Sequence, residues 1–156
     1  MNILKCTIFV FVFIELANAI VMYFKPDFKY GNSMKPFSEF EKCKEDTNTY
    51  FFVKYLINWV ANCKVIFVSI LVIIAFFGSL QLIRVAVLVT ILSIALYFIT
   101  LYPIIRHLDK NGRIHPKGYS KTLSVLVGSF IMIFTIAFVL SFWFTFLIYW
   151  KSQITL

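Results

Sequence analysis

The chain has 156 residues, room for one domain, and 61% of them are apolar, with a mean hydropathy of +0.88. Its 15 Lys and Arg against 7 Asp and Glu give a formal charge of +8, gathered in a few short stretches between long runs of Ile, Leu, Val and Phe. The first observation excludes a soluble globule and the second excludes nucleic-acid binding as the meaning of the basic charge, leaving a polytopic membrane protein with basic loops.

A spanning helix needs about 20 apolar residues to cross a hydrocarbon core of about 30 Å. Residues 3–24 are the first such run, interrupted only by Lys5 and Glu15. The run is continuously apolar, without the alternation of a lipid-facing strand, so a helix is predicted and a β-barrel is not. The same stretch also has the marks of a signal peptide, with Lys5, an apolar run over residues 7–14 and Ala17-Asn18-Ala19 as a cleavage site. Continuation of the apolar run through Phe24 favours a retained span.

Residues 25–50 follow, with five Lys, three Glu and two Asp, and with Pro26, Gly31 and Pro36 as breakers. This loop is expected to be mostly irregular, with a short helix over residues 36–45. Asp46-Thr47-Asn48-Thr49 supplies N-caps for the next element. From there Phe52, Tyr55, Leu56, Trp59, Val60 and Cys63 recur at the spacing of one helical face, with Lys54, Asn58 and Asn62 elsewhere on the wheel.

The link to the third span is tight, and two placements compete. A turn at Gly78-Ser79 makes span two residues 52–77, or a longer helix from near Tyr50, and puts Lys64 inside the membrane. A turn over residues 81–84 makes span two residues 65–83, with Lys64 at the interface and residues 50–63 lying on the surface. Gly and Ser are better turn formers than Gln and Leu, which favours the first. Residues 82–105 form the third span and residues 122–150 the fourth, where Ser124 and Gly128 make a small-residue step suited to close helix contact. Between them, residues 106–121 hold five basic residues and one acid, with turns at Asp109-Lys110-Asn111-Gly112 and Pro116-Lys117-Gly118.

The fold class is therefore all-α, an integral membrane four-helix transmembrane bundle. Ten basic residues fall in the two long loops, whereas Lys5, Arg84 and Lys151 mark the other side. The positive-inside rule puts both loops in the cytoplasm and both termini outside. Tyr23, Tyr102, Tyr119, Tyr149 and Trp150 fall near span ends, as interfacial aromatics do.

Glu15 carries the most information of any residue here. A carboxylate near mid-helix costs roughly 2.5–3.5 kcal/mol on insertion scales, so something must compensate it. It lies nine residues in from Phe24, about 13 Å, and Lys64 reaches a comparable depth if the second helix is long. An intramembrane Glu15–Lys64 pair is expected, with Asn18, Asn58 and Asn62 adding hydrogen bonds to form a small ligand or ion site between the first two spans. A purely structural pair that orients the helices is the plainer alternative, with Lys64 snorkelling to the headgroups.

In the second loop, Arg106, Lys110, Arg113, Lys117 and Lys121 are expected to contact anionic headgroups. His107, Asp109 and His115 match no metal-binding spacing, so no metal is expected, and no motif implies a cofactor. Cys6, Cys43 and Cys63 form no C-x-x-C pair.

Phe24-Lys25-Pro26-Asp27-Phe28-Lys29-Tyr30-Gly31-Asn32 and Lys54-Tyr55-Leu56-Ile57-Asn58-Trp59-Val60 resemble small four-helix bacterial membrane proteins of unassigned function. The layout of one span, a polar loop and three further spans is similar to that of DoxX-like and Erg28-like proteins. These resemblances cover topology and rest on no catalytic motif. The Phe, Ile and Lys usage is that of an AT-rich genome, consistent with a bacterial cytoplasmic membrane.

The leading functional expectation is a non-enzymatic bundle that binds a lipid-like or small apolar molecule, or an accessory subunit with a membrane-protein partner. A transporter or channel subunit using Glu15 and Lys64, assembled as a homo-oligomer, is the alternative. A membrane-embedded enzyme acting on lipid or quinone comes third. The lipid bilayer and its anionic headgroups are the expected partners, and nucleic acid is not.

Overall fold

The computed structural model describes residues 3–28 and 33–154, with side chains through residue 147 and at Trp150. Its elements are α1 (Ile3–Phe24), α2 (Ser38–Cys43), α3 (Thr47–Phe77), α4 (Leu80–Ala95), α5 (Tyr97–Thr100), α6 (Tyr102–Lys110) and α7 (Tyr119–Ile154). The helices α4, α5 and α6 follow one another so closely that Leu80–Lys110 acts as one rod. With α1, α3 and α7 it makes four helices long and apolar enough to cross a membrane. The protein is an all-α, multi-pass membrane bundle.

Each boundary has a local cause. Asp46 caps α3, its carboxylate accepting from the backbone N–H groups of Asn48 (3.3 Å) and Thr49 (3.1 Å). At the other end α3 stops at Gly78, and Ser79 caps α4 by accepting from the Leu82 N–H at 3.2 Å. The alternative turn over residues 81–84 is therefore wrong: Gln81, Leu82, Ile83 and Arg84 lie inside α4. Span two is not residues 65–83, and residues 50–63 belong to the same helix as Lys64.

The third span also departs from expectation. It runs on to Lys110, five residues past the expected end, and it is broken at Leu96 and Leu101. Pro103 lies in the first turn of α6, where it has no N–H to offer and its ring disfavours a continuous helix through the preceding turn. The second loop is accordingly short, residues 111–118, with Gly112 and Gly118 at φ +68° and +87°, a left-handed backbone that glycine adopts without strain.

Hydroxyl residues within the spans turn back onto their own helices. Thr7, Thr90, Ser129 and Thr135 donate to the carbonyls of Ile3, Ala86, Val125 and Ile131 at 2.7–3.0 Å, which satisfies them in a medium without water.

The four spans meet in one core. Leu4, Ile8, Phe11 and Val12 of α1 pack with Val68, Leu71 and Ala75 of α3, Ile83 and Val87 of α4, and Phe134 and Ala137 of α7. Phe11 is the hub, its ring edge-on to Phe130 (5.4 Å) and Phe134 (5.2 Å) of α7 and to Phe67 (6.2 Å) of α3. Ala19, Ala61 and Ala75 are fully buried, and their small side chains let α1 and α3 approach closely. Gly128 does not play the same part. A Cβ added there would meet nothing within 4 Å, so the Ser124 and Gly128 step is no helix contact.

The two loops are tied to each other rather than splayed. Phe37 and Ile114 form an antiparallel bridge, the Ser38 N–H donates to the Arg113 carbonyl at 2.9 Å, and the His115 N–H donates to the Pro36 carbonyl at 2.8 Å. Ile114 is fully buried beneath this bridge. Arg113 pairs with Glu39 at 3.1 Å, and Lys44 with Asp27 and Glu41, each at 3.1 Å. The backbone N–H of Glu39 itself, then Ser38 and Arg113, hold the Glu39 carboxyl below its usual range, while bonding to Asp27 and then Glu41 raises Lys44. The breaker Gly31 and the stretch 29–32 of the first resemblance lie outside the described residues, as do the side chains of Tyr149 and Lys151.

Candidate functional site

Two elements position the expected polar site. Helix α1 is antiparallel to α3, and Glu15 lies twelve residues from Ile3 and nine from Phe24, near the middle of the span. Because α3 is unbroken through Lys64, the ammonium and the carboxylate meet: Lys64 Nζ donates to Glu15 Oε2, with the two side chains 19% and 16% exposed. A carboxylate and an ammonium alone in hydrocarbon would each be costly. Together they form a net-neutral contact that fixes the register of α1 on α3.

The three asparagines do not join this pair. Asn62 lies on the exposed side of α3 and accepts from the Tyr23 hydroxyl of α1, making a second, separate tie between the helices. Asn18 is half-buried one turn from Glu15 and bonds to neither member of the pair. Asn58 has its Oδ1 buried without a hydrogen-bond partner. The expected pocket of five residues is thus a Glu15–Lys64 pair and a Tyr23–Asn62 pair, with Asn58 on α3 as an unsatisfied acceptor.

Where α1 ends, a cavity of about 370 Å³ opens at the loop side, bordered by Tyr23, Lys25, Asp27, Tyr50 and Lys54. Asp27 is engaged by Lys44. Neither Lys25 nor Lys54 has a carboxylate partner among the described residues. Composition alone could not single these two lysines out from the others of the loop, because their shared cavity depends on how α1 and α3 cross.

The headgroup set expected in the second loop is only partly free. Arg113 is committed to Glu39, and Arg106 lies over the Tyr102 ring at 6.0 Å. Lys110, Lys117 and Lys121 are exposed. Asp109 is occupied as well, accepting from the backbone N–H groups of Gly118 (3.0 Å) and Ser120 (2.9 Å) and from the Ser120 hydroxyl (2.6 Å), which caps the start of α7. His107 bonds to Asn111 at 2.9 Å. Among the described residues no three His, Cys, Asp or Glu side chains gather to hold a metal, and the three cysteines are free.

Sequence reasoning took Arg84 for a topological charge and missed its setting. It lies near the start of α4 and reaches across to α7, donating through Nε to Ser141 Oγ (3.1 Å) and through Nη2 to the Ser141 carbonyl and Thr145 Oγ1 (2.6 Å each). The guanidinium lies over the Phe142 ring, 4.0 Å from its centroid. The only early signal was an arginine four residues into an apolar helix.

The fold and these sites define the class as a multi-pass helical membrane bundle with an ion pair at its centre and, at each end, cations that meet no carboxylate among the described residues. Comparison with protein-family models, with curated proteins and with solved structures finds no match.

Proposed function

We infer that the protein is a non-enzymatic bundle of a bacterial cytoplasmic membrane that binds a lipid-like anionic molecule at its boundary with the bilayer. The loop-end cavity carries this reading: Lys25 and Lys54 border a space of about 370 Å³ and meet no carboxylate among the described residues. A cation at headgroup depth attracts anionic lipid by about 1 kcal/mol. The exposed apolar surface of Phe24, Phe51 and Tyr55 lies on the flanking helices for the acyl chains. Both loops face the cytoplasm in this reading, on the strength of the charge bias.

Within the bundle, Glu15 and Lys64 neutralise one another and serve as a clamp. Lipid extraction and native mass spectrometry of the protein purified in mild detergent test the reading. Retained anionic lipid is expected, falling several-fold in a Lys25→Gln/Lys54→Gln variant. A wild-type chain that retains no lipid overturns it.

Transport by an oligomer is the second reading, and the buried, unpartnered Asn58 Oδ1 of α3 favours it. Ion or proton flux in liposomes, abolished by Glu15→Gln, would establish that reading over the first.

A further inference from the structure

The opposite end of the bundle carries a cation of a different kind. Arg84 is held in place by groups that have already spent their own protons. The Ser141 hydroxyl donates to the Phe138 carbonyl at 2.7 Å, and the Thr145 hydroxyl donates to the Ser141 carbonyl at 2.8 Å, so both oxygens present only lone pairs to the guanidinium. This is a seat built for a positive charge, and no carboxylate among the described residues cancels that charge. No Asp or Glu occurs in residues 47–108 or 110–156, and Glu15 is bound to Lys64 twelve residues up α1 from its start. The Nη1 nitrogen, with two N–H donors, has no protein acceptor among the described residues.

The position of Arg84 relative to the bilayer follows from the core. Antiparallel helices advance equally, at about 1.5 Å per residue. From the contacts of Phe11 with Phe130 and Phe134, the start of α1 falls level with the Phe138 and Phe142 turn of α7. Arg84, over Phe142, therefore lies level with the start of α1 at the hairpin end of the bundle, five residues short of Leu147, where the apolar stretch of α7 ends. Beside it a cleft of about 380 Å³ is lined by Gln81, Arg84, Val85, Leu88, Phe138 and Phe142. Its wall is polar at the Gln81 and Arg84 end and apolar below, and it continues onto Val85, Leu88 and Leu92, which are 43–60% exposed along one face of α4.

We propose that this cleft between α4 and α7 is a specific site for an anionic phospholipid, the phosphodiester oxygens accepting from Arg84 Nη1 and the acyl chains lying over Val85, Leu88 and Phe142. The class of ligand rests on the lipid-binding reading above. The site is separate from the loop-end cavity, at the other face of the membrane. A charge-assisted pair of N–H donors in this setting outweighs surface attraction, since the guanidinium is half-buried against Phe142 and α7 and meets no carboxylate among the described residues.

Native mass spectrometry of the full chain tests it, in a background that removes the loop-end cations, with Lys25, Lys54, Lys110, Lys117 and Lys121 all replaced by Gln, and with phosphatidylglycerol and phosphatidylcholine of matched acyl chains. One phosphatidylglycerol per chain is expected; phosphatidylcholine offers the same phosphodiester oxygens, so the preference comes from its choline cation, which Arg84 repels, and is expected to be about fivefold, from roughly 1 kcal/mol per charge near the surface. Excess inorganic phosphate should not displace it, because the acyl chains contribute to binding. Adding Arg84→Gln should reduce the preference to within about twofold, and Arg84→Lys should keep part of it.

Should Arg84→Gln fail to fold, quenching reads the site without it. With Trp59 and Trp150 replaced by Phe, brominated phosphatidylglycerol should quench Trp143, next to Phe142, more than brominated phosphatidylcholine does. Equal quenching by the two lipids, displacement by phosphate alone, or a headgroup preference that survives Arg84→Gln overturns the site while leaving lipid binding at the loop end intact. A wild-type chain that retains no lipid at all overturns both.

Discussion

Glu15 and Lys64 share one hydrogen bond, so removing either strands the other in hydrocarbon. Lys64→Met should therefore cost about 3 kcal/mol, the lower end for breaking a buried pair by removing one partner. Replacing both, as Glu15→Leu/Lys64→Met, should restore most of that loss, since an apolar pair needs no partner. Thermal unfolding of the three chains in one detergent measures the difference. A double variant no more stable than Lys64→Met would show that the pair does not carry the energy assigned to it. The need for a partner was legible in the sequence from the depth of Glu15, and Lys64 followed once α3 was long. The partner of Asn62 was not legible, because Tyr23 lies 39 residues away and reaches it only through the crossing of two helices.

At the scale of elements, the α3–α4 hairpin turns on one residue. A Cβ on Gly78 would collide with the Ile74 carbonyl of the preceding turn, although the backbone dihedrals there suit any residue. Gly78→Ala should accordingly destabilise by about 1–3 kcal/mol, the usual cost of overpacking. Ser79→Ala should cost about 1 kcal/mol, for the lost cap to the Leu82 N–H. Thermal unfolding should rank Gly78→Ala as the more damaging, and the reverse order would mean that capping, not crowding, sets the turn. Turn chemistry at Gly78-Ser79 could be read directly from residue types. The breaks in α4 to α6 could not be placed that way: Pro103 signals trouble in its own neighbourhood, but Leu96 is a good helix former and nothing local marks it.

For the whole molecule, four helices differ in how much they lend to the core. Helix α1 is the best packed and α7 the most lipid-exposed, and at 31 and 36 residues α3 and α7 exceed the roughly 20 needed to span. Their surplus lies at opposite ends, α3 projecting on the loop side and α7 beyond the hairpin. The loop side carries the Phe37 and Ile114 bridge and most of the basic residues. If that side is cytoplasmic, Cys43 of α2, half-buried and free, should resist an impermeant thiol reagent in intact cells. It should react once the membrane is permeabilised, in a Cys6→Ser/Cys63→Ser background. Prompt reaction in intact cells would invert the orientation.

Read alone, the amino-acid order determined that four apolar runs span as helices, that two basic loops share a side, and that Glu15 needs a neutralising neighbour. Each follows from quantities local to the chain: run length against bilayer thickness, charge against loop position, and the solvation of one carboxylate. Tertiary packing alone decided that the asparagines stand apart from the Glu15–Lys64 pair, that Arg113 joins Glu39, and that Arg84 is seated on α7 with no counter-charge among the described residues. Ser141 and Thr145 lie 57 and 61 residues from Arg84. Which side chains face one another across two helices depends on crossing angle and register, which are set by the whole core and not by any segment of it.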